Sequence, residues 1–397
     1  MTLADRLQAA VREAEVLDAA CALVRTPSVT GDEAAVIEVA RRWLAARGVA
    51  ARVVARAPGR PNLVAEVGAA GPLLVLNGHL DTVPVAPGEA WHGDPYGARV
   101  EDGRLYGRGA LDMKGACGAM MHAVALLAAV EPDLPARVQL QLVADEEATA
   151  YFGTGFLVEQ VAAGRLPWPD GVLIGEKSDL RVRVAERGQF QFQLVFRGRA
   201  AHTATARVLG VNPIAHAAAA VRRLERPLAR FHPAVGHPVL SVNRIEAGVA
   251  NNQVPAQCTL TIDRRLVPGE TRESVVAEVE AELAEVRREI PELEWRLVPV
   301  TGPDGREEYN PANMTPLDDP LVDRVRAALR RVTGAEPEIY VDWAGATDAR
   351  LFRELGIPTV VLGGAGSGFH GADEHVRVDS LVTLARTYVE VAAGFGA

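Results

Sequence analysis

The 397-residue chain predicts an α/β fold, with a central mixed sheet flanked by helices, and a smaller α+β segment inserted into it. Three observations carry that expectation. From Asp32 onward short apolar runs alternate with helical periodicity; the texture changes between about Gly188 and Val300; and the first style returns after Asp318.

The elements follow in order. Positions 1–24 mix Asp5, Arg6, Arg12, Glu13 and Glu15 among apolar residues, an amphipathic helix pattern rather than a secretory signal. A helix is expected over 34–46, strands over 62–67 and 73–76, a helix over 114–130 and a strand over 138–143. A helix over 155–163 and a strand over 172–174 complete this half, and a last strand is expected over 359–362. In between, 189–196 alternates strictly, helices are expected over 213–224 and 273–289, and strands over 239–245, 257–266 and 294–298. Two helices with about four strands make a compact α+β domain, so residues 1–187 and 302–397 are expected to form one discontinuous domain around an insert at 188–301.

Composition limits the function. Hydrophobic residues at 48% and charged ones at 23% are ordinary for a soluble protein, and no apolar run approaches the roughly 20 residues a membrane span needs. The net charge of −9 is dispersed, which gives nucleic acid or an anionic membrane no electrostatic footing and favours small-molecule partners. Cys21, Cys117 and Cys258 lie far apart with no CxxC pair, so neither a disulfide framework nor a cysteine-ligated metal is expected, and a reducing cytoplasm fits.

Chemistry concentrates just after the apolar strands. Strand 73–76 runs into His79 and Asp81, strand 138–143 into Asp145, Glu146 and Glu147, strand 172–174 into Glu176, and strand 359–362 through glycines to His370. In open α/β sheets ligands gather at the carboxyl ends of strands, so four strands would deliver imidazoles and carboxylates to one crevice. Asp112, on the loop before the 114–130 helix, joins them. Two histidines and several carboxylates without cysteine suit hydrolytic zinc, or cobalt or manganese in its place. Two such ions need a shared anionic ligand, for which Asp112 is the candidate, and they would lower the pKa of a bridging water from 15.7 to about 7. Asp81 is placed to orient the other nitrogen of His79, and one of the two adjacent glutamates can act as base while the other binds metal.

The segments 78–84 (Gly-His-Leu-Asp-Thr-Val-Pro), 109–115 (Gly-Ala-Leu-Asp-Met-Lys-Gly), Asp145-Glu146-Glu147, Gly175-Glu176 and 370–374 (His-Gly-Ala-Asp-Glu) resemble, in order, the motifs of the co-catalytic metallopeptidase family. That family includes acetylornithine deacetylase, succinyl-diaminopimelate desuccinylase, aminoacylase and glutamate carboxypeptidase. The resemblance implies a zinc-hydrolase catalytic domain with a ferredoxin-like insert serving as lid and dimerisation domain, hence a homodimer. It implies one ion on His79, Asp112 and Glu176, a second on Asp112, Glu147 and His370, and Glu146 as general acid and base. Gly198 to Thr203 is similar to the family's histidine motif, which gives His202 the task of polarising the scissile carbonyl; Asn252 and Arg265 match positions that hold the substrate carboxylate. Simpler readings stand beside these: His202 could cap a turn, and Arg265 could pair with Asp263 or Glu270.

Where the family has proline after the glutamate of Gly175-Glu176, this chain has Lys177, one of only two lysines among 42 basic residues. An ammonium there could bind an acidic substrate group or simply be solvated. Gly366 to Gly371 fits GxGxxG, but without a following helix it is read as a loop presenting His370. The expected activity is removal of an acyl group from an N-acyl amino acid by attack of a metal-bridging water, with Glu146 as base. A carboxypeptidase or dipeptidase with the same site is the alternative, and a metal-free binding homologue is a third reading.

Overall fold

The computed structural model describes residues 1–302, 305, 307–341 and 345–396. They divide into two compact units, Met1–Val184 with Met314–Tyr340 and Ala346–Ala397, and Ala185–Asn313 with Val341–Gly345.

The first unit is built on a six-stranded mixed sheet. Its strands are β1 (Ala51–Ala55), β2 (Pro61–Val67), β3 (Leu73–His79), β4 (Arg137–Val143), β5 (Gly171–Ile174) and a last strand, Thr359–Val361. Their spatial order is β1, β2, β4, β3, β5 and then Thr359–Val361. β2 is antiparallel to both β1 and β4, whereas β4, β3, β5 and Thr359–Val361 run parallel. The four parallel strands are thus neighbours with their carboxyl ends on one edge. β3 is buried at every position, as its unbroken Leu73 to Leu76 run requires of a strand covered on both faces.

One face of the sheet, including Val75, Val143, Val172 and Val361, packs against helices Thr154–Ala162 and Ala349–Glu354. The other receives helix Gly115–Ala128, which is apolar around most of its circumference and is itself covered by helices Glu13–Val24 and Val378–Gly394. Gly118 makes that stacking possible: a Cβ there would stand 2.6 Å from the Ala20 nitrogen and 2.7 Å from its Cα. The amphipathic N-terminal stretch is two helices, Leu3–Ala10 and Glu13–Val24, because the backbone turns extended at Val11 and Arg12.

In the second unit β6 (Gly188–Arg197), β7 (Val239–Ala247), β8 (Gln257–Leu266) and β9 (Glu294–Pro299) form an antiparallel sheet in the order β7, β8, β6, β9. Phe190, Phe192, Leu194 and Phe196 point to one face and meet helices Pro213–Leu224 and Arg272–Glu289, which follows from the strict alternation along β6. This unit extends past the expected end at 301, because Tyr309–Asn310 pair with Phe190 and Gln189 of β6. β7 is an edge strand with most of its residues exposed.

Candidate metal centre

Four strand ends and one loop build the cluster, all in the first unit. His79 is the last residue of β3, the Asp145-Glu146-Glu147 turn follows β4, and Glu176 follows β5. His370 comes off the loop beyond Thr359–Val361, and Asp112 lies in the irregular turn Ala110–Lys114 before helix Gly115–Ala128. Glycine is required behind Glu176: a Cβ on Gly363 would sit 2.1 Å from the Glu176 carbonyl oxygen. His370 and Asp145 both hold left-handed φ angles, 57° and 70°, so the chain around them is pinned by its surroundings. Asp145 is held by Arg60 at 2.7 Å, by the Thr149 hydroxyl at 2.7 Å and by the Phe152 nitrogen at 3.2 Å.

The side chains converge in a row. His79 Nε2 lies 3.1 Å from Asp112 Oδ1 and 3.2 Å from Glu176 Oε1. The other Asp112 oxygen, Oδ2, lies 3.0 Å from His370 Nε2, which is 3.1 Å from Glu147 Oε2. Glu146 Oε2 is 3.9 Å from His79 Nε2. Two three-membered groups have ligand atoms all within 4.8 Å of one another: His79, Glu146 and Glu176, and His79, Asp112 and Glu147.

This donor set fits divalent metal. It is imidazole and carboxylate only, since the nearby Cys117 thiol donates to the His79 carbonyl at 3.3 Å. Zinc holds such ligands at 2.0 to 2.2 Å, and ligands arranged tetrahedrally at that radius are about 3.3 Å apart, close to the spacings along this row. Asp112, with one oxygen toward each histidine, can be shared.

Electrostatics points the same way. Burial pushes Glu146 well above the usual carboxylate range, and the charge of Glu176 adds to it. Burial and the charge of Asp112 push Glu176 up to about 7 against the hydrogen bond from His79. For Asp112 burial is outweighed by bonds from His370 and His79, so its carboxyl is held low. Burial lowers His79, but its bonds to Asp112 and Glu176 outweigh this and leave it well above its ordinary value. Bonds to Asp112 and Glu147 push His370 up to about 10. So many buried carboxylates around two imidazoles gain from a cation.

The remaining candidates lie as follows. The Asp81 carboxylate accepts from the Glu146 and Glu147 nitrogens at 3.1 and 3.2 Å and so holds that turn. The nearer contact to His79 Nδ1 is the Asp81 main-chain carbonyl at 2.9 Å, with the side chain at 3.6 Å. Lys177 pairs with Asp179 at 2.7 Å. In the second unit, exposed His202 accepts from the Ala204 nitrogen at 3.2 Å, capping a short turn. Arg265 makes a fork onto Asp263 at 2.7 and 3.2 Å, while Glu270 pairs with Arg264. Asn252 accepts through its main-chain carbonyl from the Thr203 nitrogen.

Three residues beside the cluster have no role assigned from the sequence. Buried Asp348 precedes helix Ala349–Glu354, is pushed up to about 6 by burial, and its charge helps to raise Glu146. No strand is expected before it in the sequence, so nothing there marked it. Arg108 flanks the 109–115 motif and Glu374 ends the 370–374 motif, but neither carries a ligand signal of its own.

Residues 75–394 match the family described as Peptidase family M20/M25/M40. The chain belongs to this peptidase family. A succinyl-diaminopimelate desuccinylase of Caulobacter vibrioides is 32% identical over 384 residues, covering 94% of each chain. Among solved structures, the aminopeptidase PepT of Bacillus cereus superposes with a TM-score of 0.73 at 19% identity, covering 98% of this chain and 100% of that one. A dinuclear metal binding peptidase of Bacillus subtilis gives a TM-score of 0.69 at 18% identity, covering 96% and 97%. This member of the M20/M25/M40 family is therefore a metal-dependent hydrolase acting on amide bonds. No helix among the described residues is long and apolar enough to cross a membrane.

Proposed function

We propose that the protein removes an acyl group from an N-acyl amino acid, as a deacylase of the acetylornithine deacetylase or succinyl-diaminopimelate desuccinylase kind. The observation that carries the reading is the Asp112 carboxylate, which lies between His79 and His370 with one oxygen near each. One divalent ion is assigned to His79, Asp112 and Glu176 and the other to Asp112, Glu147 and His370, with zinc first and cobalt or manganese as substitutes. When bound, the pair supplies Lewis acidity and a more acidic water. Glu146 takes the proton of the attacking water and returns it to the leaving amine; a carboxyl whose pKa burial has raised is suited to holding that proton. Asp81 keeps Glu146 and Glu147 in place through their nitrogens.

In the same reading His202 polarises the scissile carbonyl across a dimer interface, Asn252 and Arg265 hold the substrate carboxylate, and Lys177 meets an acidic group on the acyl side. A guanidinium fork suits a carboxylate, and Arg265 already makes one with Asp263. A homodimer through the second unit is supported by edge strand β7 and by an apolar hollow of about 460 Å³ lined by Val221, Val242 and Ile245. The three buried thiols fit residence in the cytoplasm.

The resemblance to a desuccinylase favours this over a carboxypeptidase or dipeptidase, which cleaves the same bond beside a carboxylate. Turnover of succinylated, acetylated and dipeptide substrates with added zinc, cobalt or manganese separates them. Dipeptide hydrolysis exceeding that of every N-acyl amino acid would refute the deacylase reading.

A further inference from the structure

We infer that Arg108 and Glu374 are positioning residues which together set the spacing between the Asp112 and His370 side chains. The inference rests on the metal assignment proposed above.

The local topology brings them together. Strand His375–Arg377 pairs antiparallel with Arg104–Tyr106, His375 opposite Tyr106, so the next step places Glu374 opposite Gly107, whose nitrogen donates to the Glu374 carbonyl at 2.9 Å. Both side chains are about 1% exposed. Oε1 of Glu374 accepts from the nitrogens of Leu111 at 2.9 Å and Asp112 at 3.0 Å; Oε2 accepts from the Gly109 nitrogen at 2.9 Å and Arg108 Nη1 at 2.9 Å. One carboxylate thus grips the turn that carries Asp112.

The guanidinium grips the other loop. Arg108 Nη1 donates to the Gly371 carbonyl at 3.2 Å, and Nη2 reaches the His370 carbonyl at 3.5 Å and Glu89 at 3.2 Å. His370 stands on this loop with its left-handed φ of 57°, whereas His79 ends strand β3 and Glu176 follows β5 directly. The spacing from Asp112 to His370 therefore depends on loop contacts, and those contacts run through this pair. A buried ion pair adds little net stability once desolvation is counted, so fixing the two loops is the consequence its contacts favour.

Glu374→Gln keeps the shape but exchanges one acceptor oxygen for a donor, which must face either the Leu111 and Asp112 nitrogens or those of Gly109 and Arg108. Arg108→Lys keeps the charge and removes the fork. The test is a cobalt titration of chelator-stripped protein, followed by visible absorption and calorimetry, with circular dichroism to verify the fold. Wild type takes two equivalents and His370→Ala takes one. In Arg108→Lys the first equivalent binds as in wild type while the second weakens 10- to 100-fold, the usual effect of losing an outer partner of a ligand; in Glu374→Gln the second weakens by as much and the first by less, because Asp112 is shared. Should Glu374→Gln not fold, Arg108→Lys decides alone. Two unchanged equivalents in a folded variant overturn the inference, as does equal weakening of both, which would mark a general structural role. A wild type that does not take two equivalents, or a His370→Ala variant that does, instead removes the metal assignment and this inference with it.

Discussion

Adding zinc to chelator-stripped protein at pH 7 should expel protons, and the number follows from the site. His370, pushed up to about 10 by Asp112 and Glu147, carries nearly a full proton at that pH in the stripped protein, and bonds to Asp112 and Glu176 shift His79 toward its protonated form as well. Glu176, pushed up to about 7, carries about half of one. Metal requires neutral imidazole and ionised carboxylate, so filling both sites should release about 1.5 protons from His370 and Glu176, and more as His79 gives up its own. Calorimetry in buffers of different ionisation enthalpy reads this number as the slope of observed heat against buffer enthalpy. Because His370 contributes one proton, His370→Ala should lower the slope by about one. A slope near zero, or one that His370→Ala leaves unchanged, would refute the placement of a protonated His370 between these carboxylates.

Other outcomes follow from the same geometry. Glu146→Ala should keep both metal equivalents while kcat falls by about 10² to 10⁴, since proton transfer rather than ligation is removed; loss of metal would show that the adjacent carboxylates are misassigned. The melting temperature of the stripped protein should fall as pH rises from about 4.5 to about 7, because Glu176 binds its proton more tightly folded than unfolded, and Asp348, raised to about 6, acts with the same sign; metal-loaded protein should show a smaller fall, since only the Glu176 part is removed. Gly118→Val should cost about 1 to 3 kcal/mol in thermal unfolding, because its Cβ meets Ala20 backbone that cannot move aside. Ile245→Glu, at a half-exposed position on β7, should shift the sedimentation coefficient from dimer to monomer, and an unchanged coefficient would place any interface elsewhere.

The parallel part of the fold was legible because its strands announce themselves twice, by an unbroken apolar run and by the polar residue that follows. Leu73 to Leu76 and then His79 is one such signal, and Val172 to Ile174 and then Glu176 is another. β1 was not legible: Ala51–Ala55 is half-exposed at the sheet edge, so burial imposed no apolar pattern on it. The end of the insert was missed for a related reason, since Tyr309–Asn310 extend the β6 edge with two residues, too few to show a period.

Within the cluster the same distinction separates what the chain displays from what it hides. The proposed ligands are all imidazole or carboxylate, and all but Asp112 come after a strand, which leaves a mark in the sequence. The groups that fix them answer to no such rule. Asp81 acts on Glu146 and Glu147 through their backbone nitrogens, and Glu374 acts on the Asp112 turn through three more, so their targets have no side-chain signature at all. Arg108 works on carbonyls and on Glu374, 266 positions away, a pairing that becomes visible only once His375 is registered against Tyr106. The cluster that brings together Asp112 and His370, 258 residues apart, is therefore specified by candidate ligands that can be read along the chain and by backbone contacts that exist only after folding.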